Sequence, residues 1–204
     1  MTPPKHPDWS GRTAAVICNG PSLTKPQVDL ARLLRPSFIV AVNTAYLMAP
    51  KAEIFYAGDM LFWRTHHARM RQAAAHYTQF WTADSSSAER YNLNLWRGVN
   101  RPGLGTERVH FNGNSGAQAI NLAYLFGAHK ILLLGMTMRE IDGKRHFHGN
   151  HEAPLTQTQL FPEWLKKMEV VARDAERLGV DIVNCDPLSA MQCFRFGGLE
   201  EELK

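Results

Sequence analysis

Val16-Ile17-Cys18-Asn19-Gly20-Pro21-Ser22-Leu23 is the stretch on which the fold turns. Its first residues close an apolar run that begins at Ala14, the length of a short buried strand. The next four cannot continue a strand. Gly20 permits a tight turn or a positive φ, Pro21 sets the exit, and Ser22 either caps the succeeding segment or bonds a phosphate oxygen. In open α/β sheets, ligands sit at the carboxyl ends of strands, and the first turn commonly cradles phosphate. An ordinary strand–turn–helix connector gives the same string, so both readings stay open on these residues alone. The turn is neither G-x-G-x-x-G nor Walker A, and no G-K-[ST] occurs in the chain, which argues against P-loop chemistry.

Outward from this turn, strand and helix periods alternate. Apolar residues recur at helical spacing over 27–34, and a second strand is expected at 38–42. A third is expected at 52–57, then a helix at 60–75 and a strand at 79–82. Regularity returns at 108–111, and 115–126 reads as a helix closed by Gly127. The wholly apolar run at 130–134 is typical of the centre of a parallel sheet. The clearest amphipathic helix spans 161–178 with Gly179 just beyond it, and 181–184 is a last strand. Such alternation predicts parallel pairing with right-handed crossovers. The expectation is an α/β, Rossmann-like three-layer domain with a mostly parallel central sheet, built as a single nucleotide-binding domain over 1–204. Residues 1–12 read as a polar N-terminal tail. Residues 84–107, with one helical turn, and 136–160 read as long loops, the lengths of lids or binding loops.

Composition narrows the function classes. With 45% hydrophobic and 21% charged residues the chain can bury a real core. No stretch reaches the ~20 apolar residues of a membrane span, and the N-terminus lacks the apolar core of a signal peptide, so a cytoplasmic protein without membrane contact is expected. Three cysteines without C-x-x-C spacing read as buried free thiols. A net charge of +4 suits an anionic ligand. It is compatible with a nucleic-acid acceptor, although no dense Lys/Arg run supports one. The apolar face of 161–178 serves the sheet or a homo-oligomer partner equally well.

Five further segments carry chemistry. Asn43, ending the second strand, reads a ribose or base edge, or caps a helix together with Thr44. Asp59, after the third strand, holds Mg²⁺, a sugar hydroxyl or a base amine, or caps the next helix. Asn114-Ser115-Gly116 opens a helix directly after a strand, where free N–H groups at 115–117 make an anion site and Gly116 admits close helix–sheet packing. His146, His148 and His151 crowd the second long loop. Their spacing is not a zinc pattern, so they read as a general base, a phosphate contact or solvated surface. Asn184 and Ser189 come after the last strand and again reach the ligand edge, or form a plain turn.

Taken together, the Asn19-Gly20-Pro21-Ser22-Leu23 turn, Asn43, and Asn114-Ser115-Gly116 leading to Lys130-Ile131-Leu132-Leu133-Leu134-Gly135 resemble one superfamily pattern over roughly residues 14–190. It is similar to the bacterial sialyltransferases of glycosyltransferase family 42. It is also similar to the motility accessory factor group (domain of unknown function 115) related to 6-hydroxymethyl-dihydropterin diphosphokinase. The first resemblance implies a transferase that binds a nucleotide-activated sugar as substrate, with no certain cofactor. Asn19, Gly20 and Ser22 would approach its phosphate and ribose, Asn43 the nucleotide, and Ser115 and Gly116 the helix-start contacts. A loop histidine, first His148 and then His146 or His151, would be the general base toward an unknown acceptor. The second resemblance implies ATP and Mg²⁺ held by Asp59 with Asp142 or Asp186. A third reading is a non-catalytic nucleotide-binding module, favoured if the histidine loop points away from Asn19. The chain departs from the sialyltransferase pattern at Ala57 and Asn114. It has no counterpart to that family's tyrosine pair, and Thr137 stands where many relatives carry an acid. A compact single-domain build without a membrane anchor would suit an acceptor handled in the cytoplasm, and a phage or mobile-element source that modifies DNA bases or surface glycans is a further expectation.

Overall fold

The computed structural model describes residues 6–33, 38–151, 153–155 and 160–204. In chain order they form β1 (Thr13–Ile17), α1 (Lys25–Leu33), β2 (Phe38–Val42), β3 (Ile54–Tyr56), α2 (Met60–Ala73), β4 (Gln79–Thr82), α3 (Ser85–Tyr91) and β5 (Asn94–Leu95). Next come β6 (Gly98–Val99), β7 (Val109–His110), α4 (Ser115–Leu125), β8 (Lys130–Leu134), α5 (Phe161–Leu178), β9 (Asp181–Asn184), β10 (Arg195–Phe196) and α6 (Leu199–Glu202). The central sheet runs β10-β9-β8-β1-β2-β3-β4-β5 with parallel pairing throughout, and β6 and β7 form a separate pair. Helices flank it, so the expected α/β three-layer architecture with a parallel sheet is the one observed.

Strand alternation explains the layers. Along β1 and the residue after it, Ala14, Val16 and Cys18 belong to one core, and Ala15 and Ile17 to the other. On β8, Ile131 and Leu133 side with the first, Leu132 and Leu134 with the second. The first core takes Ile120 and Leu122 of α4 and Met168, Val171 and Ala175 of α5; the second takes Val28 of α1 and Phe62, Trp63 and Met70 of α2. The apolar stripe of α5 is therefore spent on the sheet. Gly127 (φ +99) and Gly179 (φ +70) end α4 and α5 in the left-handed region that favours glycine.

Several boundaries move. The first helix starts at Lys25, and the last residue of its expected span, Leu34, lies outside the described residues. The stretch 84–107 holds α3 and two short strands, with Asp84 capping α3 by accepting the Ser87 N–H at 2.7 Å. Of the N-terminal segment, residues 1–5 lie outside the described residues, and Trp9 is buried, stacked on Phe38 at 4.5 Å and edge-on to Phe126 at 4.8 Å. Described residues of 136–160 hold neither helix nor strand before α5, only isolated bridges Ile141–Lys144 and His146–Gly149. Cys18 and Cys185 are buried free thiols, and Cys193 is a half-buried one.

β1 is succeeded by β2 on one side and neighboured by β8 on the other. The direction of winding reverses there, and a crevice opens where the connections leave to opposite faces. The Asn19–Ser22 turn stands at that reversal.

Candidate functional site

A cleft of about 760 Å³ lies over this point. Its wall tracks the strand ends in sheet order: Gly135 to Met138 after β8, Cys18 to Gly20 after β1, Asn43 after β2, Gly58 and Asp59 after β3, and Asp84 after β4. Asn114 to Gly116 close it from the start of α4, Phe161, Trp164 and Lys167 from α5, and Arg145, His146 and His151 from the long loop.

The turn needs its glycine for proximity. Gly20 is not in the positive-φ region that its sequence allows; instead its N–H donates to Gly135 O at 2.7 Å. A Cβ there would stand 2.9 Å from Thr137 Cβ and closer still to Thr137 Oγ1 and Gly135 O. Ser22 does not face the cleft. Its hydroxyl donates to Asp186 Oδ2 at 2.5 Å and lies 2.5 Å from Thr137 Oγ1, which itself donates to Asp186 Oδ2 at 2.9 Å. Asp186 is fully buried and also accepts the Leu188 N–H at 3.1 Å. This carboxylate knots the ends of β9, β8 and β1 together beneath the cleft floor. Pro21 completes the turn without lining the cleft.

Asn184 and Ser189 are buried braces rather than cleft residues. Asn184 Nδ2 donates to Met191 O at 3.2 Å, its Oδ1 accepts the Asp186 N–H at 3.1 Å, and Ser189 Oγ donates to Met136 O at 2.8 Å. They hold Met136 and Asp186 in place from below.

Asn43 adopts φ +50 and caps nothing: the short 3-10 turn that it opens has no side-chain cap. Its Oδ1 is buried without a hydrogen-bond partner among the described residues. Asp59 does both things expected of it. It caps α2, accepting the Phe62 N–H at 2.7 Å, and it lines the cleft. Burial raises its pKa, the Phe62 N–H opposes this, and the neighbouring Asp84 carboxylate adds to the rise. Asn114 caps α4 by accepting the Ala117 N–H at 3.1 Å. That leaves the Ser115 and Gly116 N–H groups facing the cleft end of α4 with no acceptor among the described residues. Ser115 Oγ accepts the Gly58 N–H at 3.2 Å, so its own proton remains to be donated. A Cβ on Gly116 would meet Cys18 Sγ at 2.9 Å and Met136 Cε at 3.0 Å, so this glycine does let α4 approach the sheet. Cys18 is no nucleophile, since burial and the nearby Asp186 push its thiol up to about 12.

The histidine loop docks on the turn. Asn19 Nδ2 donates to His146 Nδ1 at 2.9 Å, and Asn19 O accepts the Phe147 N–H at 3.1 Å. Since the amide nitrogen only donates, His146 Nδ1 accepts and its proton sits on Nε2. His148 is exposed, sits off the cleft wall, and places Nε2 3.0 Å from Thr44 Oγ1. His151 lines the cleft with no hydrogen bond to a described residue. The three rings pack at 4.3 to 5.3 Å between centroids. Burial, then the rings of His151 and His148, hold His146 down at about 3; burial, then His148 and the buried His66 of α2, hold His151 at about 4. Both are neutral near pH 7. No three His, Cys, Asp or Glu side chains among the described residues are arranged to hold a metal ion. Asp142 lies in the loop off the cleft wall.

Sequence reasoning passed over Asp84, Gln118, Trp164 and Lys167. Asp84 carried a signal, as a capping residue before Ser85-Ser86-Ser87. The α5 residues carried none, because an amphipathic pattern reports which face is apolar and not what its first turns meet.

This is an α/β fold, a parallel sheet with its cleft at the winding reversal. Two solved enzymes share it. The MAf glycosyltransferase of Magnetospirillum magneticum AMB-1 matches with a TM-score of 0.64 at 13% identity, over 95% of this chain and 34% of that one. The sialyltransferase CstII of Campylobacter jejuni, solved with cytidine-5′-monophosphate, matches with a TM-score of 0.59 at 14% identity, over 92% of this chain and 85% of that one. CstII solved with a trisaccharide acceptor and CMP matches at 0.55 and 14%. The chain thus spans about a third of the MAf enzyme and most of CstII. No protein-family profile and no curated protein sequence matches it. No helix among the described residues is long and apolar enough to cross a membrane.

Proposed function

We propose that the chain is a glycosyl transfer enzyme that takes a nucleotide-activated sugar in this cleft. The observation that carries the reading is the pairing of two unused N–H groups, Ser115 and Gly116, with a neutral histidine, His151, that makes no hydrogen bond to a described residue, on one cleft at the sheet's winding reversal. The helix start receives the donor phosphate. His151 accepts the proton of the acceptor hydroxyl as its oxygen bonds to the anomeric carbon. The bond from that carbon to the phosphate oxygen breaks, and the nucleotide leaves with the electron pair. Charge gathering on the leaving phosphate is met by the α4 N–H groups and the Ser115 hydroxyl. His151 replaces His148 as first candidate because His148 is engaged with Thr44 outside the cleft. His146, with its proton on Nε2, serves as a donor to substrate.

The test is hydrolysis of a panel of nucleotide sugars. His151→Ala should abolish turnover, by about 10²-fold or more, while His148→Ala retains most of it. No turnover of any donor, together with no binding of any nucleoside mono- or diphosphate, would end the reading.

A metal-dependent diphosphoryl transferase is a second reading, supported by the adjacent Asp59 and Asp84 carboxylates on the cleft. Asp186 does not serve it, being consumed by Ser22, Thr137 and Leu188. ATP binding that is indifferent to EDTA would remove it. The non-catalytic reading loses its discriminating sign, since the histidine loop faces Asn19.

A further inference from the structure

Five tryptophans are present, and three of them give their indole N–H to a protein acceptor: Trp63 to Ala57 O at 3.0 Å, Trp81 to Gln79 Oε1 at 2.8 Å and Trp96 to Glu107 O at 2.9 Å. Trp164 Nε1 is different. It is buried, it has no partner among the described residues, and its side chain stands on the cleft wall. Burying an unpaired N–H is costly, and folds avoid it unless something else supplies the acceptor.

Its surroundings say what that acceptor is. The open face of Gly113, two residues before α4, meets both Lys167 Nζ, 3.2 Å from where a Cβ would stand, and Trp164 Nε1, 3.6 Å from the same point. An ammonium and an indole N–H thus converge within a turn of the Ser115 and Gly116 N–H groups. Lys167 is one turn on from Trp164 along α5, held by Glu163 at 2.5 Å, a half-exposed pair that leaves two of the three ammonium protons for a ligand. Phe161 packs against Trp164 at 5.6 Å and fixes the indole. The two polar side-chain atoms that meet the open face of Gly113, the Lys167 ammonium and the Trp164 indole N–H, are both donors.

We infer that Trp164 and Lys167 form, with the start of α4, a clamp for an oxyanion of the substrate. In the transfer reaction its charge-gathering member is the leaving phosphate. Lys167 then supplies the full positive charge that the helix start alone lacks, and Trp164 a directed hydrogen bond. The inference rests on the nucleotide-sugar reading, and the two fail separately.

The experiment monitors the five indole N–H signals of the ¹⁵N-labelled full chain, with Trp164→Phe to identify its peak. Added CMP or UMP should shift the Trp164 indole signal, inorganic phosphate should shift it at higher concentration, and cytidine or uridine should not. Lys167→Met should weaken CMP or UMP binding about tenfold and leave nucleoside binding and the urea midpoint unchanged. A shift produced by N-acetylneuraminate but not by phosphate would keep the oxyanion clamp and move it from phosphate to a sugar carboxylate. If CMP or UMP moves the amides of Gly20 and Asn43 but leaves Trp164 still and Lys167→Met neutral, the clamp is overturned and the nucleotide site stands. If no nucleotide moves any signal, the nucleotide-sugar reading itself falls.

Discussion

Replacing Gly20 by Ala should damage stability and nucleotide binding together, and the structure sets the size of the effect. A Cβ at this position would lie 2.9 Å from Thr137 Cβ, where relaxed carbon contacts need about 3.5–4.0 Å, and nearer still to two oxygens. Thr137 cannot swing away freely, because its hydroxyl is engaged by Ser22 and Asp186. Gly135 O is backbone at the end of a central strand. The turn must therefore retreat from β8 by about 1 Å, which costs about 1–3 kcal/mol as overpacking. The retreat stretches the 2.7 Å hydrogen bond from Gly20 N to Gly135 O, worth about 1 kcal/mol more. A total of about 2–4 kcal/mol is expected in urea unfolding. A 1 Å displacement of this wall should also cost on the order of 10²-fold in activity. Gly58→Ala is a second close approach for comparison: its Cβ would meet the buried Gln118 side chain, 2.9 Å to Cδ, which the Tyr56 hydroxyl and Phe111 O hold in place, so it should destabilise as well, by displacing a side chain rather than a strand end. Thr137→Ala should relieve Gly20→Ala only in part, since Gly135 O remains. An unchanged urea midpoint and nucleotide affinity in Gly20→Ala, or full rescue by Thr137→Ala, would refute the close-approach account.

Acid should loosen the histidine loop. The unfolded chain protonates these rings near pH 6.5, whereas folded His151 and His146 resist until about 4 and about 3. The unfolded state thus binds more protons across this window, and stability falls as pH drops from about 6.5 toward 3. Urea midpoints at pH 7 and 5 check the direction, and His146→Gln should flatten the slope. Asp186→Ala should cost about 3 kcal/mol, because the Ser22 and Thr137 hydroxyls and the Leu188 N–H lose their shared acceptor in a fully buried place. It should also raise KM for the nucleotide sugar through the freed turn. An Asp186→Ala protein as stable as wild type would show that the knot bears nothing.

The sequence by itself determined the layers. Period-two alternation and a run as apolar as Ile131-Leu132-Leu133-Leu134 can only be satisfied between two helical faces, and the helical stripe of 161–178 with Gly179 beyond it is a local signal read locally. It also determined that Asn19, Asn43 and Asp59 would gather at one edge, because parallel strands of one sheet all deliver their chain to the same side; Ser115 follows β7, outside that sheet, and the tertiary structure brings it to the same cleft. Short elements largely escaped it: α3, with seven residues, reads in the sequence only as one helical turn in a long loop, and β5, β6 and β10 have two residues each, too few to display a period. Only the tertiary structure decided which polar residues face the ligand and which brace the floor. Ser22 meets Asp186 from 164 residues away, His146 meets Asn19 from 127, and Thr44 engages His148 from 104. A hydroxyl or imidazole has the same chemistry whether it points into a cleft or into a knot beneath it. Its direction is set by partners that local sequence does not contain, and for this reason the opening turn proved to hold its glycine for closeness to β8 and its serine for Asp186.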